Sequence, residues 1–229
     1  MNFSQFEQIV SQQRLSRYVE ACGGDKVKAL TLYRYNLQLS EAIYSVVSCF
    51  EIALRNAIDR KLRSQFGEDW LLDSISEGGI FTLPILHKTN EIITNAYQRL
   101  RHSAKYSHSK LLAEMEFGIW KYMFSPLQYK QTRQSILSIF PNKPRSSRQM
   151  QYNQSYIFNE IDRINSLRNR IAHHEPICFA SGQNAYGTKY ALGVYNRIIC
   201  LFDWMGIDSA KYLYGIDRVR RICDKIDRL

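Results

Sequence analysis

With 229 residues the chain can bury one sizeable core, and no shift in composition divides it, so a single domain over residues 1–229 is expected. Its 31 Lys and Arg against 21 Asp and Glu give a formal charge of +10, which favours polyanionic partners, nucleic acid first among them. The five cysteines, Cys22, Cys49, Cys178, Cys200 and Cys223, form no Cys-x-x-Cys pair, which argues against a zinc site or thiol exchange and for reduced, intracellular residues.

Met1 to Tyr18 has no basic start followed by an apolar core, and no apolar stretch reads as long enough to span a bilayer. A cytoplasmic protein without a membrane segment is therefore expected. Long proline-free segments with apolar residues three or four apart follow, the helical period, so the fold class is all-α. From Asp25 to Phe66 one apolar face runs through Leu39, Ile43, Val46, Phe50, Leu54 and Ile58, as one long helix or a broken pair that Gly67 stops. Helices are expected over Ile85–Leu100 and Leu111–Phe124, separated by the polar loop RHSAKYSHSK, with Pro126 closing the second. Phe117, Trp120, Tyr122 and Trp204 have core spacing, and Gly118 suggests close helix packing.

A short helix over Tyr129–Phe140 precedes PNKPRSSR, an exposed turn whose Lys143, Arg145 and Arg148 suit phosphate contacts. The next helix should start near Asn153 or Ser155 and end at His174 or Glu175, because Pro176 disfavours helical geometry before it. A loop over Phe179–Gly187 and two helices, Lys189–Trp204 and Ser209–Leu229, complete the bundle. The last alternates Asp217, Asp224 and Asp227 with basic residues as a salt-bridged surface helix.

The segment SLRNRIAHHEP, Ser166 to Pro176, carries the candidate chemistry. Cleaving RNA without a metal needs a group that manages the protons of the attacking and leaving oxygens, and a cation for the charge developing on phosphorus. His173 and Arg168 are of these types. Five residues apart on a helix they lie roughly 140° apart around the axis, whereas Asn169 and His173 share a face and can hydrogen-bond. Arg168 must reach round, the last turn must loosen, or a second subunit must complete the site; the last is favoured. Chance alone supplies about 0.4 matches to one fixed Arg-to-His spacing in this composition, so the spacing carries little by itself. Arg170 and His174, on another face, suit either RNA contact or an ordinary solvated helix.

The motif segment, with its paired histidines, Glu175 and Pro176, resembles the C-terminal signature of the Abi-like abortive-infection proteins of the HEPN superfamily. Leu32 to Ile58 resembles that family's N-terminal block, with Tyr33, Asn36, Leu39, Ser40, Glu51, Leu54, Arg55 and Asn56 in matching places; Ala113–Trp120 and Ile139–Pro141 resemble its middle block. The resemblance implies a HEPN-like helical bundle with additional helices that dimerises to bring two Arg-to-His motifs into one metal-independent RNA-cleaving site. There Arg168 would stabilise the transition state, His173 act as acid or base and Asn169 position one of them, leaving a 2′,3′-cyclic phosphate. It further implies phage defence, with toxins sometimes restrained by a partner RNA or protein antitoxin.

Glu51 sits among apolar residues and needs a partner, for which Arg55 one turn later is placed; with Asn56, these residues either form a structural pair or support the motif arginine. No His-Glu-x-x-His occurs and His173 and His174 point apart, so no metal is expected, and with no glycine-rich phosphate loop followed by Lys-Ser or Lys-Thr no cofactor is expected either. A non-catalytic RNA-binding protein holding a structured small RNA is the alternative function, and a protein-interaction scaffold a third.

Overall fold

A computed structural model describes residues 2–179, 182 and 184–229. The α-helices in chain order are α1 (Phe3–Val10), α2 (Gln12–Ala21), α3 (Lys26–Phe66), α4 (Trp70–Asp73), α5 (His87–His102), α6 (His108–Ala113), α7 (Phe117–Tyr122), α8 (Pro126–Gln131), α9 (Gln154–Ala172), α10 (Lys189–Trp204), α11 (Ser209–Tyr212) and α12 (Val219–Asp227). Among the described residues there is no strand, only an isolated bridge between Phe179 and Tyr186 in the expected loop, of which residues 180, 181 and 183 lie outside the description. The protein is all-α.

The chain forms two compact units, each assembled from separated segments. The first comprises residues 1–49, 166–200 and 208–229, and the second residues 50–165 and 201–207. In the first, α1 starts with a capping box between Asn2 and Gln5, and Ser11 caps α2 by accepting from the Arg14 N–H at 3.3 Å. Buried Tyr18 meets Tyr33 and Phe179 edge-to-face, at centroid distances of 5.4 and 5.3 Å. Thr188 opens α10, with its N–H and hydroxyl both donating to Asp227. The α12 face Val219, Ile222, Cys223 and Ile226 is buried.

In the second unit, Phe50 packs against Phe202 and Phe117. Asp59 accepts from Trp70 Nε1 at 2.8 Å and lies 2.7 Å from His108 Nε2. Gly79 is needed here, because a Cβ would stand 2.3 Å from the Asp73 carbonyl oxygen.

Several expected boundaries shift for identifiable reasons. The first long helix is one unbroken element, opened by Asp25, whose carboxylate accepts from the Val27 and Lys28 N–H groups. The expected Leu111–Phe124 helix is two, because Glu116 is extended (φ −73°, ψ 158°) and buried Met115 sits between them. Pro126 opens α8 instead of closing the helix before it, the position where a missing N–H costs nothing. The expected Tyr129–Phe140 helix breaks at Arg133 and Gln134, both with left-handed backbone (φ 55° and 56°). The last expected helix splits around Gly215 (φ 75°), and its Asp217 and Asp227 accept from Tyr195 and Thr188 in place of pairing along one surface. Phe117, Trp120 and Trp204 are buried as expected, but Tyr122 is 48% exposed, and no atom beyond its chain neighbours and own helix backbone lies within 4 Å of where a Gly118 Cβ would be.

One expectation about membranes also changes. By length and composition α3 contains an 18-residue window apolar enough to cross a bilayer, since its polar positions there are mostly uncharged. Leu39, Ala42, Ile43, Val46, Phe50 and Leu54 along it are fully buried, as in the core helix of a folded domain, which passes the same test.

Candidate functional site

The motif helix α9 ends two residues before the expected boundary, and the way it ends builds the site. The His173 N–H still bonds Asn169 O at 2.9 Å, the His174 N–H turns to Ile171 O at 3.0 Å, and the Glu175 N–H reaches back to Arg170 O at 2.8 Å. This is a Schellman ending, with His174 in the left-handed position (φ 56°) that glycine usually fills. Both imidazoles are thereby exposed at the helix end.

Four further ties hold the turn. Arg14 of α2 donates from Nη1 to His174 O at 2.6 Å. Arg170 pairs with Glu175 at 3.3 Å, donates to Pro176 O and Phe179 O, and lies 5.0 Å from the Tyr190 ring centroid. Asn36 Oδ1, on α3, accepts from the N–H groups of Ile177 (2.8 Å) and Cys178 (3.1 Å). Arg17 stands 4.3 Å from the Phe179 ring centroid.

These ties frame a cleft of about 410 Å³, walled on one side by Ser11, Arg14 and Arg17 and on the other by His173, His174 and Glu175. Three of its five ionisable groups are thus Arg or Glu with a fixed charge, two positive against one negative. Ser11 and His174, facing this cleft, are both non-glycine residues with positive φ (84° and 56°), the kind of backbone strain that persists where surrounding structure enforces it. Two nearby groups are unsuited to acid–base work. Burial pushes the Cys178 thiol up to about 12, and burial likewise raises the Tyr18 phenol far above its ordinary value.

Of the residues expected from sequence, His173 and His174 line the cleft, whereas Arg168 and Asn169 do not. Arg168 is half-buried and donates from Nη1 to Asn169 Oδ1 at 3.3 Å, so the amide expected to orient His173 bonds the arginine instead. Arg170, expected as a possible RNA contact, spends its donors on the chain's own carbonyls and Glu175. Glu51, Arg55 and Asn56 belong to the second unit, where Arg55 Nε donates to Asn56 Oδ1 at 3.4 Å. Half-buried Lys143 and exposed Arg145 and Arg148 also belong there, in the stretch after Pro141. Among the described residues no group of three or more His, Cys, Asp or Glu is arranged to hold a metal.

Arg14 and Arg17 line the cleft and were not anticipated from sequence. Their signal was the α2 cap, Ser11 followed three residues later by Arg14, with both arginines on one amphipathic helix.

An all-α protein whose motif helix presents two imidazoles to an arginine-walled cleft is thus defined. The chain belongs to the Abi-like protein family, whose model matches residues 2–178, more than three quarters of its length. No curated protein and no solved structure matches it.

Proposed function

We propose that the protein is a metal-independent endoribonuclease of the HEPN type, acting in the cytoplasm in abortive infection or as a toxin. The observation that carries this reading is the placement of exposed His173 in a cleft walled by Arg14 and Arg17. Guanidinium groups suit phosphate oxygens, and an imidazole suits proton transfer near neutral pH. In the reaction the ribose 2′-hydroxyl loses its proton to a base and its oxygen attacks phosphorus. The phosphorus–O5′ bond breaks and the leaving oxygen takes up a proton. The products are a 2′,3′-cyclic phosphate and a 5′-hydroxyl, with His173 handling one of the two protons. Arg168 stabilises the negative phosphorane from the other subunit of a homodimer, and Asn169 fixes its guanidinium. Restraint by an RNA or protein antitoxin fits the same reading.

The test is cleavage of a structured RNA by the purified full chain in EDTA, with end-group analysis of the fragments. Cleavage that survives chelation and leaves cyclic phosphates is expected; strict dependence on an added divalent ion would refute the mechanism. A second reading, RNA binding without turnover, is favoured by the absence of Arg168 from the cleft wall. A gel shift run beside the cleavage assay separates the two.

Arg14 provides a second check. Because its Nη1 holds the His174 carbonyl, an alanine variant would confuse cap and charge. Arg14→Gln keeps an N–H donor and removes the charge. RNA affinity is expected to fall, and the slope of log affinity against log salt to shrink by about 0.7 for a single-stranded target. A change in melting temperature with an unaltered slope would make Arg14 purely structural.

A further inference from the structure

We infer that the second unit carries a groove that holds the sugar–phosphate backbone of RNA, with Arg60, Lys61 and Lys143 as its cations. The inference rests on the reading of RNA as the protein's partner, and concerns a surface other than the histidine cleft.

Lys61, on α3, lies where two open clefts adjoin. One, of about 430 Å³, is bordered by Lys61, Tyr129, Ser135, Ser138 and Lys143; the other, of about 390 Å³, by Arg60, Lys61, Ser64, Ser138 and Pro141. They share Lys61, Ser138 and Pro141, so they form one continuous depression, and no carboxylate lines either half. The contrast with the neighbouring turn is informative. Arg63 is neutralised by Glu68 and Asp59, whereas Arg60, Lys61 and Lys143 enter no ion pair among the described residues. Three cations with no internal counter-charge around one groove make a local field that attracts a polyanion.

The backbone beneath one of them is fixed. Asn142 donates from its N–H to Trp204 O at 3.0 Å and from its side chain to Asp203 O at 3.1 Å, and the Lys143 N–H closes a turn on Phe140 O at 3.2 Å. Lys143 therefore projects from an anchored turn, while Arg145 and Arg148 follow on the exposed stretch and do not line the groove.

The hydroxyl groups favour RNA over DNA. Ser64 Oγ already donates to Lys61 O at 2.7 Å, and Ser138 Oγ to Ser135 O at 2.8 Å. With their protons committed, these oxygens are left as acceptors at the groove. A ribose 2′-hydroxyl is a donor that fits them and that deoxyribose lacks.

The test uses the full chain carrying His173→Ala, so that bound RNA is not consumed, and a fluorescent single-stranded RNA, the same sequence as DNA, and phosphatidylserine vesicles. Combining Arg60→Gln, Lys61→Gln and Lys143→Gln is expected to weaken RNA binding at least about tenfold near physiological salt and to reduce the salt slope by about 2. The melting temperature should be unchanged, since no internal ion pair is lost. Ser64→Ala with Ser138→Ala should narrow the preference for RNA over DNA. Unaltered RNA affinity and slope in the triple variant overturn the inference, as does loss of vesicle binding with RNA binding intact. Failure of the cleavage mechanism shows separately, as unchanged cleavage by His173→Ala, and leaves the binding measurements readable.

Discussion

His173→Ala and Arg168→Ala should each lower RNA cleavage by at least about 100-fold, and an equimolar mixture of the two inactive proteins should recover up to about a quarter of the unaltered rate. The single losses follow from the roles assigned: proton transfer by a positioned imidazole, and stabilisation of a developing anion by a fixed cation. The recovery follows from geometry. Within one chain Arg168 is tied to Asn169 and does not line the cleft, while His173, just past the end of α9, faces the Arg14 wall. If Arg168 acts from the partner subunit, the mixed dimers, half of the population, each contain one site with both groups intact. Cleavage rate and fragment ends over a mixing series are the readout. A mixture as inactive as its components would place both groups in one subunit, and an Arg168→Ala variant that cleaves normally would remove Arg168 from the chemistry. His174→Ala gives the internal control: its carbonyl, which Arg14 holds, is retained, so a smaller loss is expected than at His173.

Helical period made most of the fold readable, and the reasons for the failures are local. The buried face of α3 from Leu39 to Ile58 is what its apolar spacing announces, because burial selects residues three or four apart. Breaks at Glu116, Arg133 and Gln134 carry no glycine or proline; there packing and short turns override propensity, and sequence rules for punctuation have nothing to detect. The motif helix was legible and its ending was not, since the rule for the residue before proline extends the helix to Glu175, whereas the left-handed turn at His174 ends it earlier. His173 and His174, which line the cleft, could be named from sequence because the motif lies in one segment. Its arginine wall was missed because Arg14 is 160 positions from the carbonyl it holds, a distance over which no spacing rule operates.

The same long-range construction makes Asn36 a position where replacing a single polar residue should cost much of the stability. The residue is 3% exposed, and its one side-chain carbonyl oxygen satisfies the N–H groups of Ile177 and Cys178, both fully buried. Asn36→Ala or Asn36→Leu leaves two buried donors without an acceptor, at about 1–3 kcal/mol each, so a loss of about 2–5 kcal/mol in urea unfolding is expected. Leucine conserves the volume and tests the cause. If packing were the origin, leucine would restore stability; if the hydrogen bonds are, it will do as badly as alanine or worse. Faster amide exchange at Ile177 and Cys178 should accompany the loss, and a leucine variant as stable as the unaltered chain would disprove the assignment. Function should suffer beyond the unfolded fraction. The segment that Asn36 pins follows directly from the turn presenting His173, and it is held from α2 by Arg14 and from α9 by Arg170. Releasing the α3 pin leaves three of the four ties, those from Arg14, Arg17 and Arg170. On the proposed reading, a cleft whose histidine wall has to meet a phosphodiester to within fractions of an ångström would lose rate before it loses structure.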